Sequence, residues 1–339
     1  MNKKKKRRVR PAAIILPFIP VIAGLCALMI GRYSVTPADL WHSVVGHLTG
    51  GSLPSGFVES TLWHVRLPRI LLAMLAGAGL SAAGCSFQSL FSNPLATPDT
   101  LGVASGASFG AALGMLCGMK LVGIQLFALG FGILAILLTT LTGSGRAGRG
   151  LSGTVLAGIM IGSLFNALVS WAKLTADTES ELPAITYWLM GNLGSAGYGE
   201  LLLGAPPILI GLTVLLLLRW RMNLLPLSED EARAAGVNLK LLRGTVIGCA
   251  AVMTASVVSM CGQVGWVGLL VPHICRMKWG SNQLSLLPAS VFVGAGFLTV
   301  VDTAARSMTA SDLPVSILTA VIGAPFFIYL MRRTEGWRL

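Results

Sequence analysis

Charged residues are scarce in this sequence. They make up 11% of the 339 residues, whereas a soluble globular domain carries about 25%. Too few polar side chains are therefore present to cover a water-exposed surface. Hydrophobic residues make up 54% of the chain, and a membrane core needs about 20 apolar residues for each helical span. We expect an all-α, polytopic transmembrane helical bundle with no sizeable soluble domain.

Motifs of catalytic and metal sites are also lacking. None of the six cysteines forms a CxxC pair, and no His-Glu-x-x-His or Gly-x-Ser-x-Gly motif is present. The segment 143–148 matches GxGxxG, but it follows an apolar helix and lacks the Lys-Ser/Thr of a phosphate loop. We interpret it as a cytoplasmic turn. The sequence thus predicts a protein that is not an enzyme, with no catalytic residue, no bound metal and no cofactor of its own.

The formal net charge of +12 does not indicate nucleic-acid binding, because the cations cluster in short gaps between apolar runs. Loops rich in Lys and Arg stay cytoplasmic. With both termini in the cytoplasm, 19 of the 25 Lys and Arg residues lie inside. The six cations that this orientation leaves outside are Arg32, Arg66, Arg69, Lys120, Lys173 and Arg306.

Apolar runs between Gly, Pro or charged residues predict about ten spans. A basic tail (1–11) precedes a single transmembrane domain (12–332), and a second cytoplasmic tail (333–339) ends the chain. The eighth span is too short to cross alone and resembles the half-helices of transporters. A weak similarity at an offset of 178 residues, for example Gly84 with Gly262, suggests an inverted internal repeat. The predicted spans are 12–31, 67–90, 99–118, 121–142, 152–174, 201–218, 244–262, 264–276, 284–304 and 314–331.

The inner loop 219–243 carries the signature of a short helix. Ser228 and Glu231 have the spacing of a capping box, and acidic residues favour a helix N-terminus. Gly236 suits the left-handed residue that ends a helix. This helix is either a surface helix without a partner or a lever that docks into an attached motor domain. Its candidate residues are Ser228, Glu229, Asp230, Glu231, Ala232, Arg233 and Gly236.

Three arginines at outer helix ends contradict the positive-inside bias: Arg66, Arg69 and Arg306. They either snorkel to the interface as anchors or dock an anionic partner. Asp302 lies four residues before Arg306, which permits a pair along one helix.

Apart from Asp302, no Asp, Glu or Lys is expected in the middle of a span. Carriers that act alone and use a proton gradient usually need such a group. This lack favours a permease that depends on a separate ATPase subunit, and an ion-coupled secondary transporter is the alternative.

The segment Arg66–Ala107, RLPRILLAMLAGAGLSAAGCSFQSLFSNPLATPDTLGVASGA, closely resembles the FecCD-type permeases of ABC importers, which take up ferric siderophores, haem and cobalamin. The resemblance extends over about residues 60–332. Its further blocks are Leu156–Gly158, Tyr187–Gly191, Gly265–His273, Leu313–Val315 and Leu318–Pro325.

This resemblance implies an inner-membrane homodimer of ten-helix subunits, with two ATPase subunits that bind ATP and Mg²⁺ and an extracytoplasmic binding protein. The segment from Glu231 to Gly236 would be the coupling helix. Arg66, Arg69 and Arg306 match arginines that meet acidic residues of the binding protein. Asn93, Leu95 and Ser152 are similar to residues of the cytoplasmic gate.

The chain departs from the family pattern at three places. Trp266 stands where members often have Phe, residues 280–283 are less charged than usual, and Asp312 replaces a Glu. The sequence leaves the solute open, and molybdate or another oxyanion is possible within this fold.

Overall fold

The structure is a computed structural model that describes residues 15–51, 53–143, 151–194, 197–309 and 312–333. Most of the predicted turn at 143–148 and the whole basic tail lie outside these residues. The described chain contains thirteen helices, two 3-10 turns (Pro98–Leu101 and Arg221–Leu224) and no strand. The helices are α1 Phe18–Met29, α2 Pro37–Thr49, α3 Gly56–Leu90, α4 Val103–Leu116, α5 Leu121–Gly143, α6 Leu151–Thr175, α7 Glu181–Leu189, α8 Tyr198–Leu218, α9 Glu229–Ala234, α10 Leu239–Cys261, α11 Val267–Trp279, α12 Gln283–Met308 and α13 Val315–Arg333.

The all-α class is confirmed, and each of the ten predicted spans coincides with a helix. Six helices (α3, α5, α6, α8, α10 and α12) are long and apolar enough to cross a membrane. The helices α1 and α4 and the segment Val315–Tyr329 of α13 are apolar but shorter. The count of ten spans, the internal repeat and the positions of the two termini stay predictions. Below, the side that carries α9 is called cytoplasmic, as predicted.

Two further helices lie on the predicted outer side, where the sequence interpretation had only loops. The helix α2 is fixed by a capping box, since the Thr36 hydroxyl accepts from the Asp39 backbone N–H while the Asp39 carboxylate accepts from the Thr36 N–H. The helix α7 follows the acidic segment around Asp177. In addition, α3 starts eleven residues earlier than predicted and includes a π-helical stretch, Thr61–Arg66.

The helix α3 lies at the centre of the bundle, and 83% of the residues in its most apolar 18-residue stretch are buried. It packs against α8, α10, α11 and α12. Its small residues allow this packing: a Cβ atom on Gly84 would overlap the backbone carbonyl of Gly268 in α11, and one on Gly77 would overlap that of Gly294 in α12. Close backbone approach through small residues is the usual basis of helix association in membranes.

Two helices are half-helices that begin inside the bundle. The helix α11 has 13 residues and begins after Trp266, whose φ of 69° is unusual for a residue other than glycine. At 1.5 Å per residue it is about 20 Å long, shorter than a membrane core, as predicted for the eighth span. The helix α4 has 14 residues and starts against the middle of α6, because Gly102 packs on Gly158 and Gly162.

Candidate functional site

The short helix predicted in the inner loop is present as α9, Glu229–Ala234, and its role in coupling stays a prediction. The Ser228 hydroxyl accepts from the Glu231 N–H at 3.3 Å, and the Glu231 carboxylate accepts from the Ser228 N–H at 3.0 Å and its hydroxyl at 2.9 Å. These bonds lower the pKa of Glu231, so the ionised form holds the cap at neutral pH. Gly236 has a φ of 73° and ends the helical segment, as the sequence indicates.

One face of α9 is attached to the bundle and the other is exposed. Ala232 is fully buried, whereas Glu229, Asp230 and Arg233 are exposed, and Arg233 pairs weakly with Glu229 at 3.7 Å. The turn before α9 is tied to α12, because the Asn223 side-chain oxygen accepts from the Gln283 N–H at 2.9 Å. The helix α9 itself contacts α10. A force on its exposed face therefore reaches α10 directly and α12 only through the turn at Asn223.

The three outer arginines are all buried, with exposures of 3% for Arg66, 6% for Arg69 and 7% for Arg306. The Arg66 guanidinium donates to the backbone carbonyls of Leu28, at 2.5 Å, and of Tyr33. Arg306 donates to the Ala27 carbonyl. Two of the arginines thus bind the C-terminal end of α1 and the segment that follows it. Docking of a binding protein by these arginines stays a prediction, but within the subunit their side chains point inward.

Arg69 instead holds two carboxylates. Its Nε lies 3.0 Å from both Asp302 oxygens, and its Nη2 lies 2.8 Å from Asp302 Oδ1. Its Nη1 donates to Asp312 at 2.6 Å, and Asp312 also accepts from Arg32 at 2.7 Å. The suggested pair between Asp302 and Arg306 along α12 is not formed, because the Asp302 carboxylate faces Arg69 on α3.

Sequence reasoning missed Arg32 and Asp312 as members of this network. The sequence identifies Arg32 only as an outer cation. In the structure it bonds to Asp312, although half of its side chain is exposed. Asp302 and Asp312 each lie more than 230 positions after Arg69 in the chain, but the fold brings their carboxylates to its guanidinium. No local spacing rule could have indicated that contact.

The three predicted gate residues line a single cavity of about 470 Å³ at the cytoplasmic end of the bundle. Asn93 and Leu95 come from the segment after α3, where the Asn93 side chain accepts from the Leu95 N–H at 2.9 Å. Ser152 lies in the first turn of α6. Leu95 is 54% exposed, so its side chain forms part of the open wall. The structure brings the three residues together, while their action as a gate stays a prediction.

A tight bundle of apolar helices, interrupted by half-helices and carrying the short exposed helix α9 on its cytoplasmic side, defines an integral membrane transport protein of the permease type. The sequence profile of the FecCD transport family matches residues 19–333. The chain belongs to that family.

Individual relatives agree with this assignment over nearly the whole chain. The molybdate import system permease protein MolB of Haemophilus influenzae is 39% identical, with 94% of this chain and 95% of that protein aligned. The Fe(3+)-citrate import system permease protein YfmE of Bacillus subtilis is 35% identical over 98% of both. A solved metal-chelate type ABC transporter in an inward-facing conformation is similar with a TM-score of 0.86 and 38% identity, covering 95% of this chain and 99% of that one.

Proposed function

We propose that this chain is the membrane-spanning subunit of an ABC importer that carries an iron(III)-siderophore or a related chelate, such as haem or cobalamin, into the cell. It works in the bacterial inner membrane with a second copy of itself, two ATPase subunits and an extracytoplasmic binding protein. ATP and Mg²⁺ bind to the ATPase subunits. The observation that carries this proposal is α9, a capped helix that is exposed on one face, buries Ala232 on the other and packs against α10.

The geometry of α9 fits a coupling element better than a surface helix without a partner. A six-residue helix has little intrinsic stability, yet α9 has both a complete N-terminal cap and a left-handed C-terminal stop. Its acidic first turn remains exposed for contact with another subunit. A motor domain that pushes on this face would act on α10, which α9 contacts, and on α12 through the turn at Asn223.

The exposed face of α6 supports pairing with a second copy. Ser163, Asn166 and Ser170 are exposed on this helix, and lipid cannot hydrogen-bond an amide side chain. Ile159 and Asn166, seven residues apart, lie on one face, in line with Ser152 of the gate cavity. We propose that two such faces enclose the solute pathway in the dimer.

An ion-coupled carrier that acts alone is the second candidate. The sequence argument against it is that, apart from Asp302, no Asp, Glu or Lys is expected in the middle of a span. That argument is weakened by Asp99, which lines a cavity inside the bundle. The argument that remains rests on α9 and on relatives whose names describe import systems and ABC transporters.

The solute class is tested by reconstitution. Proteoliposomes containing this chain, its ATPase and its binding protein are expected to accumulate a radioactive iron(III)–hydroxamate siderophore only when ATP and all three components are present. Uptake that a proton or sodium gradient drives without the ATPase would favour the carrier. Uptake of molybdate with no uptake of iron chelates would refute the proposed solute and leave the ABC architecture intact.

A further inference from the structure

A second cavity, of about 250 Å³, lies deeper in the bundle than the gate cavity. It is formed where the two half-helices begin. Its polar residues come from the 3-10 turn before α4, from α4, α6 and α10, and from the loop before α11: Asp99, Ser105, Asn166, Thr254 and Gln263.

The lining residues place this cavity near the middle of the membrane. Leu80 lies in its wall and is ten residues from the cytoplasmic end of α3 at Leu90. Ten helical residues span about 15 Å, half the thickness of a membrane core of about 30 Å. Asn166 is also shared with the exposed polar face of α6, which continues to the gate cavity.

Asp99 is the one charged residue among the described residues that line this cavity. Its side chain is exposed to the cavity, and no described residue forms a hydrogen bond or ion pair with its carboxylate. An ionised carboxylate at this depth is costly unless water or a cation solvates it. No described residue places a cation or a hydrogen-bond donor beside Asp99, so its ionised form depends on water or a cation within the cavity.

The neighbouring groups also favour a cation over an anion. The Gln263 amide nitrogen donates to the Ser108 hydroxyl at 2.7 Å, which leaves the amide oxygen as an acceptor. The Thr254 hydroxyl donates to the Ala250 carbonyl at 2.8 Å and so presents lone pairs rather than its proton. The N-termini of α4 and α11 adjoin the cavity and stabilise the ionised form of a carboxylate.

We propose that Asp99 makes this cavity a water-filled, cation-preferring part of the solute pathway. It admits cationic or uncharged metal chelates and disfavours compact oxyanions such as molybdate. The inference rests on the proposed function, since it assigns the cavity to that pathway.

The test measures the electrostatic preference of the cavity directly. All six cysteines are replaced, Asn166→Cys is introduced as a reporter, and the assembled transporter is studied in membrane vesicles. We compare the labelling rates of a cationic and an anionic methanethiosulfonate reagent of similar size, each normalised to its rate with a free thiol. The cationic reagent is expected to react roughly tenfold faster, which is the effect of one nearby charge in a partly aqueous site.

Asp99→Asn should abolish this preference, whereas Asp99→Glu should retain it. Asp177→Asn is the matched control, because it removes an exposed carboxylate from the outer loop and should leave the ratio unchanged. Equal rates for both reagents with Asp99 intact, or no labelling by either, would overturn the inference. Failure of the reconstituted transporter to use ATP would refute the proposed function without affecting the labelling ratio, so the two failures are distinguishable.

Discussion

Removal of Asp302 tests whether the buried ion pair holds the outer half of the bundle together. Arg69 donates three hydrogen bonds to Asp302 and one, of 2.6 Å, to Asp312. In the Asp302→Ala variant only the bond to Asp312 remains. The Asp302 side chain is 1% exposed and that of Arg69 is 8% exposed. Removing one partner of a buried pair costs about 3–5 kcal/mol. We expect a loss near 3 kcal/mol, because Asp312 still neutralises part of the charge.

Two variants separate this effect from general damage. Asp312→Ala removes the more exposed carboxylate, with 21% exposure, and should cost about 1 kcal/mol, as for an exposed pair. The double variant Arg69→Met with Asp302→Leu removes both charges and keeps the volume. Because replacing a buried pair by apolar residues is often neutral, it should be more stable than Asp302→Ala alone.

Stability can be measured by thiol labelling during heating. Cys85 and Cys261 are buried and become reactive only on unfolding, whereas the exposed Cys26 and Cys117 are replaced by serine to remove background. The Asp302→Ala variant should label at a clearly lower temperature than Asp312→Ala. If the two variants and the parent protein label at the same temperature, or if the double variant is the least stable, the buried pair does not have the energetic role argued here.

Three other predictions concern the motor and the packing. The purified chain alone should hydrolyse no ATP, and activity that survives removal of contaminating ATPases would refute this. Glu231→Ala combined with Gly236→Val should uncouple uptake from ATP hydrolysis in proteoliposomes. The amount of folded protein should not fall, since a lost cap costs only about 0.5–2 kcal/mol. Wild-type uptake together with wild-type stimulation of the ATPase would contradict a coupling role. Gly84→Ala should destabilise the bundle by about 1–3 kcal/mol or more through backbone overlap, whereas Gly248→Ala, with open space around its Cβ position, should be neutral or stabilising in the same labelling assay.

The positions of the long helices could be predicted because apolar length and capping are local properties. The cap at Ser228 and the stop at Gly236 required only residues within one loop. The same reasoning could have found α2, since Thr36, Pro37 and Asp39 carry the same kind of signal. It was missed because hydropathy searches give no weight to short amphipathic helices outside the membrane.

The depth of Asp99 could not be predicted in this way. A span assigned by hydropathy is assumed to begin at a membrane surface, so Asp99 was assigned to the start of the third span. In the structure, the chain after α3 turns back into the bundle, and α4 starts where Gly102 meets the interior of α6. Likewise, counting cations predicts the side on which Arg66 lies but not that its guanidinium is buried.

The burial of the outer arginines changes what docking of a binding protein requires. For Arg69 to reach a partner, it would have to release Asp302, and a newly unpaired buried carboxylate is costly. Arg32 needs no such rearrangement, because its side chain is 50% exposed and its bond to Asp312 lies at the rim of the network. Rim charges mainly change the association rate and its dependence on salt. Arg32→Glu should therefore slow docking of an acidic binding protein and flatten its salt dependence while the amount of folded permease stays the same. Arg66→Glu with Arg69→Glu should instead lower the amount of folded protein; if it weakens docking at an unchanged protein level, the arginines act at the surface despite their burial.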